Sequence, residues 1–87
     1  MKIKQGFVLR QVADATIVVP SGKASLDFNG MITLNETGAF LWGLLEEDTT
    51  EDKMVEAMLA EYDVDEEVAR AGISRFVSKL GDEGLLE

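Results

Sequence analysis

The N-terminal part of the chain has the mixture of branched, aromatic and polar positions that is typical of β-strands. The segments 7–12 and 15–19 are rich in Val, Ile, Leu and Phe, and the short connection Ala13-Asp14 lies between them. Pro20 ends the second segment, because proline has no N–H group to donate to a neighbouring strand. This pattern predicts two consecutive strands.

A hairpin is predicted around Asn29-Gly30. The strand-like pieces 25–28 and 31–34 flank this pair. An Asn-Gly pair between two such pieces is a strong hairpin signal, because both turn positions need positive φ angles. The hydrophobic pattern thus predicts a small antiparallel sheet in which 31–34 is the last strand.

From Asn35 onward, the apolar residues recur at helical spacing. Asn35 is the predicted N-cap of a helix that runs to Leu45 and is apolar on most sides, as expected for a buried central helix. Trp42 is interpreted as a core residue of this helix rather than as a platform for a ligand. Gly38 and Gly43 each lower the helix propensity by about 1 kcal/mol, and close packing against the sheet is the expected reason for both.

Two more amphipathic helices follow. Thr50 and Asp65 are their predicted N-caps, and Gly81 or Gly84 is expected to end the last one. The predicted buried stripe of the second helix comprises Met54, Val55, Met58, Leu59 and Tyr62. That of the third helix comprises Val68, Ala69, Ile73, Phe76, Val77 and Leu80.

The order of the elements predicts the fold class. Strands followed by three helices with short breaks suit one α+β domain, residues 1–87, with a helix-turn-helix core and a small sheet. The closing pair Leu85-Leu86 is expected to fold back onto the core.

The chain contains neither Cys nor His. Disulfides and thiolate metal sites are therefore excluded, and the usual general base near neutral pH is missing. Because the carboxylates lie in exposed helix starts and breaks, we predict a non-enzymatic protein with no catalytic, cofactor-binding or metal-binding residues. No secretory signal is visible and no apolar stretch could span a bilayer, so the expected location is cytoplasmic, without a membrane partner.

The net charge of −9 is distributed unevenly. Up to Leu45, four Lys and Arg residues oppose three carboxylates, which gives +1; from Glu46 onward, four oppose fourteen, which gives −10. An acidic helical half works against nucleic-acid binding, because a binder needs cations to displace the counterions of the phosphates. The acidic surface is either a solvated, solubilising face or a docking face for a basic patch on a partner protein.

An exposed strand edge is the main candidate for a binding site. Its N–H and C=O groups can accept an extended peptide as an additional strand. The last predicted strand and one flank of the third helix would then form a groove. The candidate peptide-binding residues are Met31, Ile32, Thr33, Leu34, Ala71, Arg75 and Ser78.

Cations on the third helix have two open interpretations. Arg75 and Lys79 are rare positive charges in the acidic half, and they could pair with acidic side chains of a peptide. Alternatively, the cations of this helix pair locally at i,i+4 spacing: Arg70 with Glu66, and Lys79 with Glu83.

Several short pieces of the sequence form an ordered series. They are the helix start at 34–38, Leu41-Trp42, the Thr49-Thr50 break, the helix end Glu61-Tyr62-Asp63 and the closing pattern Phe76-Val77, Leu80 and Gly84-Leu85-Leu86. In this order and spacing, they resemble the pyrroloquinoline quinone biosynthesis protein D (PqqD-like) family. The resemblance extends from about Phe7 to Leu86, and each piece is a cap, a turn or a core position.

This resemblance implies a winged helix-turn-helix fold, with a three-stranded antiparallel sheet followed by three helices. It implies a recognition element for ribosomally made precursor peptides. Such a domain binds the leader of the precursor as an added strand, between the third strand and the third helix. It presents the leader to a modifying enzyme, often a radical S-adenosylmethionine (SAM) enzyme that would hold the cluster itself. Asn35, Thr37 and Trp42 match the family pattern and are interpreted as structural.

Two other functions remain open from the sequence. A winged-helix DNA-binding regulator would have the same fold, but Asp65, Glu66 and Glu67 open the third helix with negative charge. A non-catalytic dimerising subunit is the other alternative, since an exposed strand edge can pair with itself, and a homodimer is plausible in every case.

Overall fold

Three strands precede three helices in the computed structural model, which describes residues 1–20 and 32–87. The elements are β1 (Phe7–Val12), β2 (Ala15–Pro20), β3 (Ile32–Leu34), α1 (Glu36–Leu45), α2 (Glu51–Glu61) and α3 (Glu66–Asp82). This order confirms the predicted α+β class. The predicted strand at 25–28 and the turn at Asn29-Gly30 lie outside the described residues. No helix in the described ranges is long and apolar enough to cross a membrane.

The sheet is antiparallel, with the strand order β1-β2-β3. Leu9, Val18 and Ile32 lie side by side across the three strands, and Val18 is fully buried. Because side chains alternate between the two faces of a strand, Thr33 lies on the outer face while Leu34 returns to the core. Because β3 is the last strand in the order β1-β2-β3, it is an edge of the described sheet.

The starts of the helices are fixed by side-chain caps. The Asn35 side chain accepts a 2.7 Å hydrogen bond from the Gly38 N–H, and Thr50 Oγ1 accepts one of 3.2 Å from the Lys53 N–H. Both predicted caps are confirmed. Asp65 occupies the N-cap position of α3 but makes no side-chain capping bond there. At the other end, Gly84 follows α3 with a φ of 77°, which is the left-handed conformation that favours glycine.

The helices bury their apolar stripes against the core face of the sheet. Trp42, Met54 and Ile73 are each at most 1% exposed, so Trp42 is confirmed as a core residue. Two positions of the predicted stripes are corrected: Leu59 is 36% exposed and Val68 is 61% exposed. Val68 precedes Ile73 by five residues, which turns it about 140° away from the buried face of α3.

The glycines of α1 differ in their surroundings. A Cβ atom added to Gly38 would lie 3.2 Å from Asn35 Oδ1, 3.4 Å from Leu34 Cβ and 3.4 Å from Phe76 Cε1. Close packing therefore explains Gly38, as predicted. Gly43 is exposed, and an added Cβ would meet no described atom within 4 Å, so close packing does not explain this second glycine.

The two ends of the described chain pair with each other. Ile3 forms an antiparallel bridge with Leu86, and the Lys4 N–H donates a 2.8 Å hydrogen bond to the Leu85 carbonyl. Leu85 is fully buried, which confirms that the C-terminal residues fold back onto the core. The Ile3 N–H also donates to the Leu45 carbonyl at 2.9 Å, so this pairing is attached to the end of α1.

Candidate functional site

The strand β3, an edge of the sheet formed by the described residues, presents mainly its backbone. Ile32 and Leu34 are each only 7% exposed, whereas Thr33 is exposed on the outer face. Alternate residues of an edge strand direct their N–H and C=O groups away from the sheet, and these groups can pair with an added strand. Met31, the first residue of the predicted edge strand, lies outside the described residues.

One flank of α3 is directed toward β3. The Phe76 ring packs at the junction of β3 and α1, since both Phe76 Cε1 and Leu34 Cβ lie within 3.4 Å of a Cβ built on Gly38. Phe76 is half-buried and lines the core on this side. The contact fixes the rotation of α3 relative to the sheet.

The opposite flank of α3 is directed toward α2. Arg70 Nη1 donates a 2.9 Å hydrogen bond to Asp52 Oδ1 in the first turn of α2. Successive helical residues are turned by about 100°, so Arg70 and Phe76 lie on either side of the buried Ile73, about 120° apart. One flank of α3 therefore faces β3, and the other faces α2.

We define the β3-side flank as Gly72, Phe76 and Lys79, which follow one another along the side of α3 that carries Phe76. Gly72 and Lys79 are both within about 60° of Phe76 around the helix axis. Gly72 is half-buried, and a Cβ added there would meet no atom of the described chain within 4 Å. The β3-side flank thus combines an aromatic ring, an open position and a cation.

The structure places the predicted helical site residues further round the helix. Ala71, Arg75 and Ser78 are all exposed. Ala71, Arg75 and Ser78 are all turned about 140–160° from Ile73, which puts them on the face opposite the core rather than beside β3. Of the three, Arg75 is turned toward the β3-side flank, about 40° from Lys79 around the helix axis. Contact of these three residues with a peptide stays a prediction, and the geometry favours Arg75 among them.

The cations of α3 differ in their pairing. The hydrogen bond from Arg70 to Asp52, reinforced by the charges of Asp52 and Glu66, raises the pKa of the Arg70 guanidinium. The predicted Arg70–Glu66 ion pair is therefore replaced by a bond to another helix. Within the described ranges, neither Arg75 nor Lys79 forms an ion pair, so the predicted Lys79–Glu83 pair is not formed.

A separate cleft of about 470 Å³ lies beside β1, away from the β3-side flank. The N-terminal segment and β1 line it, with Lys2, Lys4 and Val8 among the contributing residues. Trp42 also lines the cleft but is only 1% exposed, so its ring has no free face for a ligand. Nowhere in the described chain do three or more acidic side chains gather as a possible metal site.

Gly72 on the β3-side flank was not among the residues predicted from the sequence, although one signal was available. A glycine inside a helix lowers its stability by about 1 kcal/mol relative to alanine, and Gly72 occupies the interior of α3 without a packing contact to a described residue that requires it. Phe76 was assigned to the core, and its half-exposed position follows from the rotation of α3.

Comparisons with known proteins are consistent with this architecture. The model of the family described as "Coenzyme PQQ synthesis protein D (PqqD)" matches residues 16–86. A solved structure described as "TbiB1 in Complex with the TbiA(beta) Leader Peptide" is 28% identical in sequence, with a TM-score of 0.77 over 100% of this chain and 95% of that chain. No curated protein matches the sequence.

Proposed function

Since the chain belongs to the coenzyme PQQ synthesis protein D (PqqD) family, we propose that it binds the leader of a ribosomally made precursor peptide. The leader adds to the sheet along the edge of β3 and lies in the groove between β3 and α3. The domain then presents the precursor to a modifying enzyme, of the radical SAM type, and performs no catalysis itself. The similar solved structure of TbiB1 with a leader peptide supports a peptide ligand.

One observation carries the location of this groove. Phe76 of α3 and Leu34 of β3 both approach Gly38, which supports a position of this flank of α3 next to the end of β3. An extended chain beside β3 would obtain affinity from backbone pairing and specificity from the side chains on the β3-side flank. Arg75 would contribute at the rim of this flank.

DNA binding is less compatible with the same surface. The first turn of α3 carries Glu66 and Glu67, both exposed, and a recognition helix that approaches phosphates needs positive charge there. Homodimer formation stays a prediction that gel filtration can test.

The test is peptide display followed by NMR. A library of random 15-residue peptides is passed over the immobilised domain, and the TbiA(beta) leader serves as a defined additional probe. Enriched peptides are then titrated into the ¹⁵N-labelled domain. We expect saturable amide shifts centred on β3 and on Gly72, Phe76 and Lys79 of α3.

Two results would contradict the proposal. One is the absence of any enriched peptide together with no binding of the TbiA(beta) leader. The other is saturable binding whose shifts centre on the acidic start of α2, around Glu51 and Asp52, while β3 is unchanged. The second result would instead indicate that the acidic helices are the docking surface.

A further inference from the structure

Gly72 is an unusual choice for the middle of α3. Glycine is unfavourable in helix interiors, because its backbone loses more conformational freedom than that of other residues. At Gly38, the neighbouring side chains leave little room for a Cβ, whereas at Gly72 an added Cβ would meet no described atom within 4 Å. Packing against residues 1–20 and 32–87 therefore gives no reason for a glycine at this position.

The space beside Gly72 is bordered by an apolar ring and by positive charge. Phe76 follows one turn later on the same flank and is half-buried. Lys79 and Arg75 are exposed, and neither is paired with a carboxylate of the described chain. This set stands apart in a half of the chain that carries fourteen carboxylates and only four Lys and Arg residues.

We propose that the β3-side flank selects peptides that place a bulky apolar side chain in the open position over Gly72, against Phe76, and a carboxylate two residues away, against Lys79 and Arg75. The proposal rests on the proposed function and specifies the ligand chemistry of the groove. Gly72 is then a specificity-determining residue, because any side chain at this position would occupy the space that the ligand needs.

The proposed two-residue spacing follows from the rise of the α3 helix and the repeat of an extended peptide. Along the helix axis, the point midway between Gly72 and Phe76 lies about 7.5 Å before Lys79, because the helix rises about 1.5 Å per residue. In an extended peptide, residues i and i+2 face the same side and are about 6.7 Å apart. A peptide that lies along α3 therefore brings its second same-side residue close to the level of Lys79.

The acidic preference is a demanding prediction, because the domain has a net charge of −9. Its overall field repels acidic peptides. Enrichment of Asp or Glu at a fixed distance from an apolar residue would therefore come from a local contact and not from nonspecific attraction.

The experiment repeats the 15-residue peptide display with variants. Gly72→Ala is compared with the control variant Gly81→Ala. Gly81 lies in the same helix but on the other side of its axis, and a Cβ added there also meets no described atom within 4 Å. We expect Gly72→Ala to raise the melting temperature yet weaken binding of peptides enriched by the unmodified domain about tenfold. Gly81→Ala should leave the affinity within about twofold.

Charge reversal tests the proposed preference for a carboxylate in the peptide. The Arg75→Glu/Lys79→Glu variant should enrich Lys or Arg where the unmodified domain enriches Asp or Glu. The control, Lys4→Glu/Lys53→Glu, makes the same change in net charge at exposed positions outside α3 and should keep the acidic preference.

The outcomes separate this inference from the proposed function. If the unmodified domain enriches peptides that lack the apolar–acidic pair, or if Gly72→Ala and Gly81→Ala bind them equally well, the selection motif is refuted while peptide binding stands. If the unmodified domain enriches no peptide and does not bind the TbiA(beta) leader, peptide recognition is refuted and the motif with it.

Discussion

The two flanks of α3 have different relations to their neighbours. On the side of α2, Arg70 is bonded to Asp52, which links two helices at the surface. On the side of β3, Gly72 leaves space and Lys79 has no described ion-pair partner. One helix thus makes a surface ion pair with α2 on one flank, while on the other flank Lys79 forms no ion pair with a described residue.

The cleft of about 470 Å³ lies beside β1, and none of the residues of the β3-side flank lines it. A strand-adding peptide brings its own backbone hydrogen bonds, so it needs an edge and a few side-chain positions more than it needs enclosure.

The largest expected effect comes from adding bulk to each flank in turn. Gly72→Trp should fill the space beside β3 and weaken binding of display-selected peptides about 100-fold, which corresponds to about 2.7 kcal/mol. Ser74→Trp places the same bulk in an exposed position on the α2 side and should change the affinity less than about twofold. Isothermal titration calorimetry on both variants, after thermal melts show that they are folded, makes the comparison. Equal losses in the two variants would show that the flanks do not differ.

A smaller effect is expected where the β3-side flank meets α1. Gly38→Leu should lower the free energy of unfolding by about 1–3 kcal/mol, because the new side chain collides with Leu34 and Phe76. Gly43→Leu should raise it by up to about 1 kcal/mol, since it gains helix propensity in open space. Urea unfolding monitored by circular dichroism measures both values. If Gly38→Leu is as stable as Gly43→Leu, the position of Phe76 is not fixed by this contact.

The smallest effects are expected when Arg70 and Lys79, the cations on the two flanks of α3, are replaced by alanine. Arg70→Ala should hardly change the urea midpoint or peptide affinity, because both members of its ion pair are solvent-exposed. Lys79→Ala should weaken binding of acidic display-selected peptides about two- to fivefold at low salt, and the difference should shrink as NaCl is added. Fluorescence anisotropy across a salt series measures both variants. An Arg70→Ala loss as large as that of Lys79→Ala would assign the ligand to the α2 side.

Local sequence signals predicted much of the fold correctly. Asn35 and Thr50 cap their helices as expected, because a cap depends on residues only three positions apart. Asp65 has the right residue type in the right position but no capping bond, so residue type alone did not decide that case. The first two strands also follow the hydrophobic pattern, with Pro20 as the last residue of β2.

The site was harder to predict, because it depends on the rotation of one helix against its neighbours. Periodicity identified the buried residues around Ile73, but the flank predicted to face β3, with Ala71, Arg75 and Ser78, is exposed on the face opposite the core. The assignment of the two flanks comes from Phe76 against Gly38, and from Arg70, which bonds to Asp52 and not to Glu66 one turn away. These contacts join residues far apart in sequence, and the i,i+4 rule considers only near ones.

The pairing of Ile3 with Leu86 bears on the order in which the protein folds. A contact between residues so distant in the chain closes a very large loop, and its entropic cost is offset only when the intervening core has formed. The two ends should therefore join after the sheet and helices have assembled. In hydrogen exchange from the native state, the amides of Ile3 and Lys4 should open by separation of the chain ends, at lower free energy than those around Ile73.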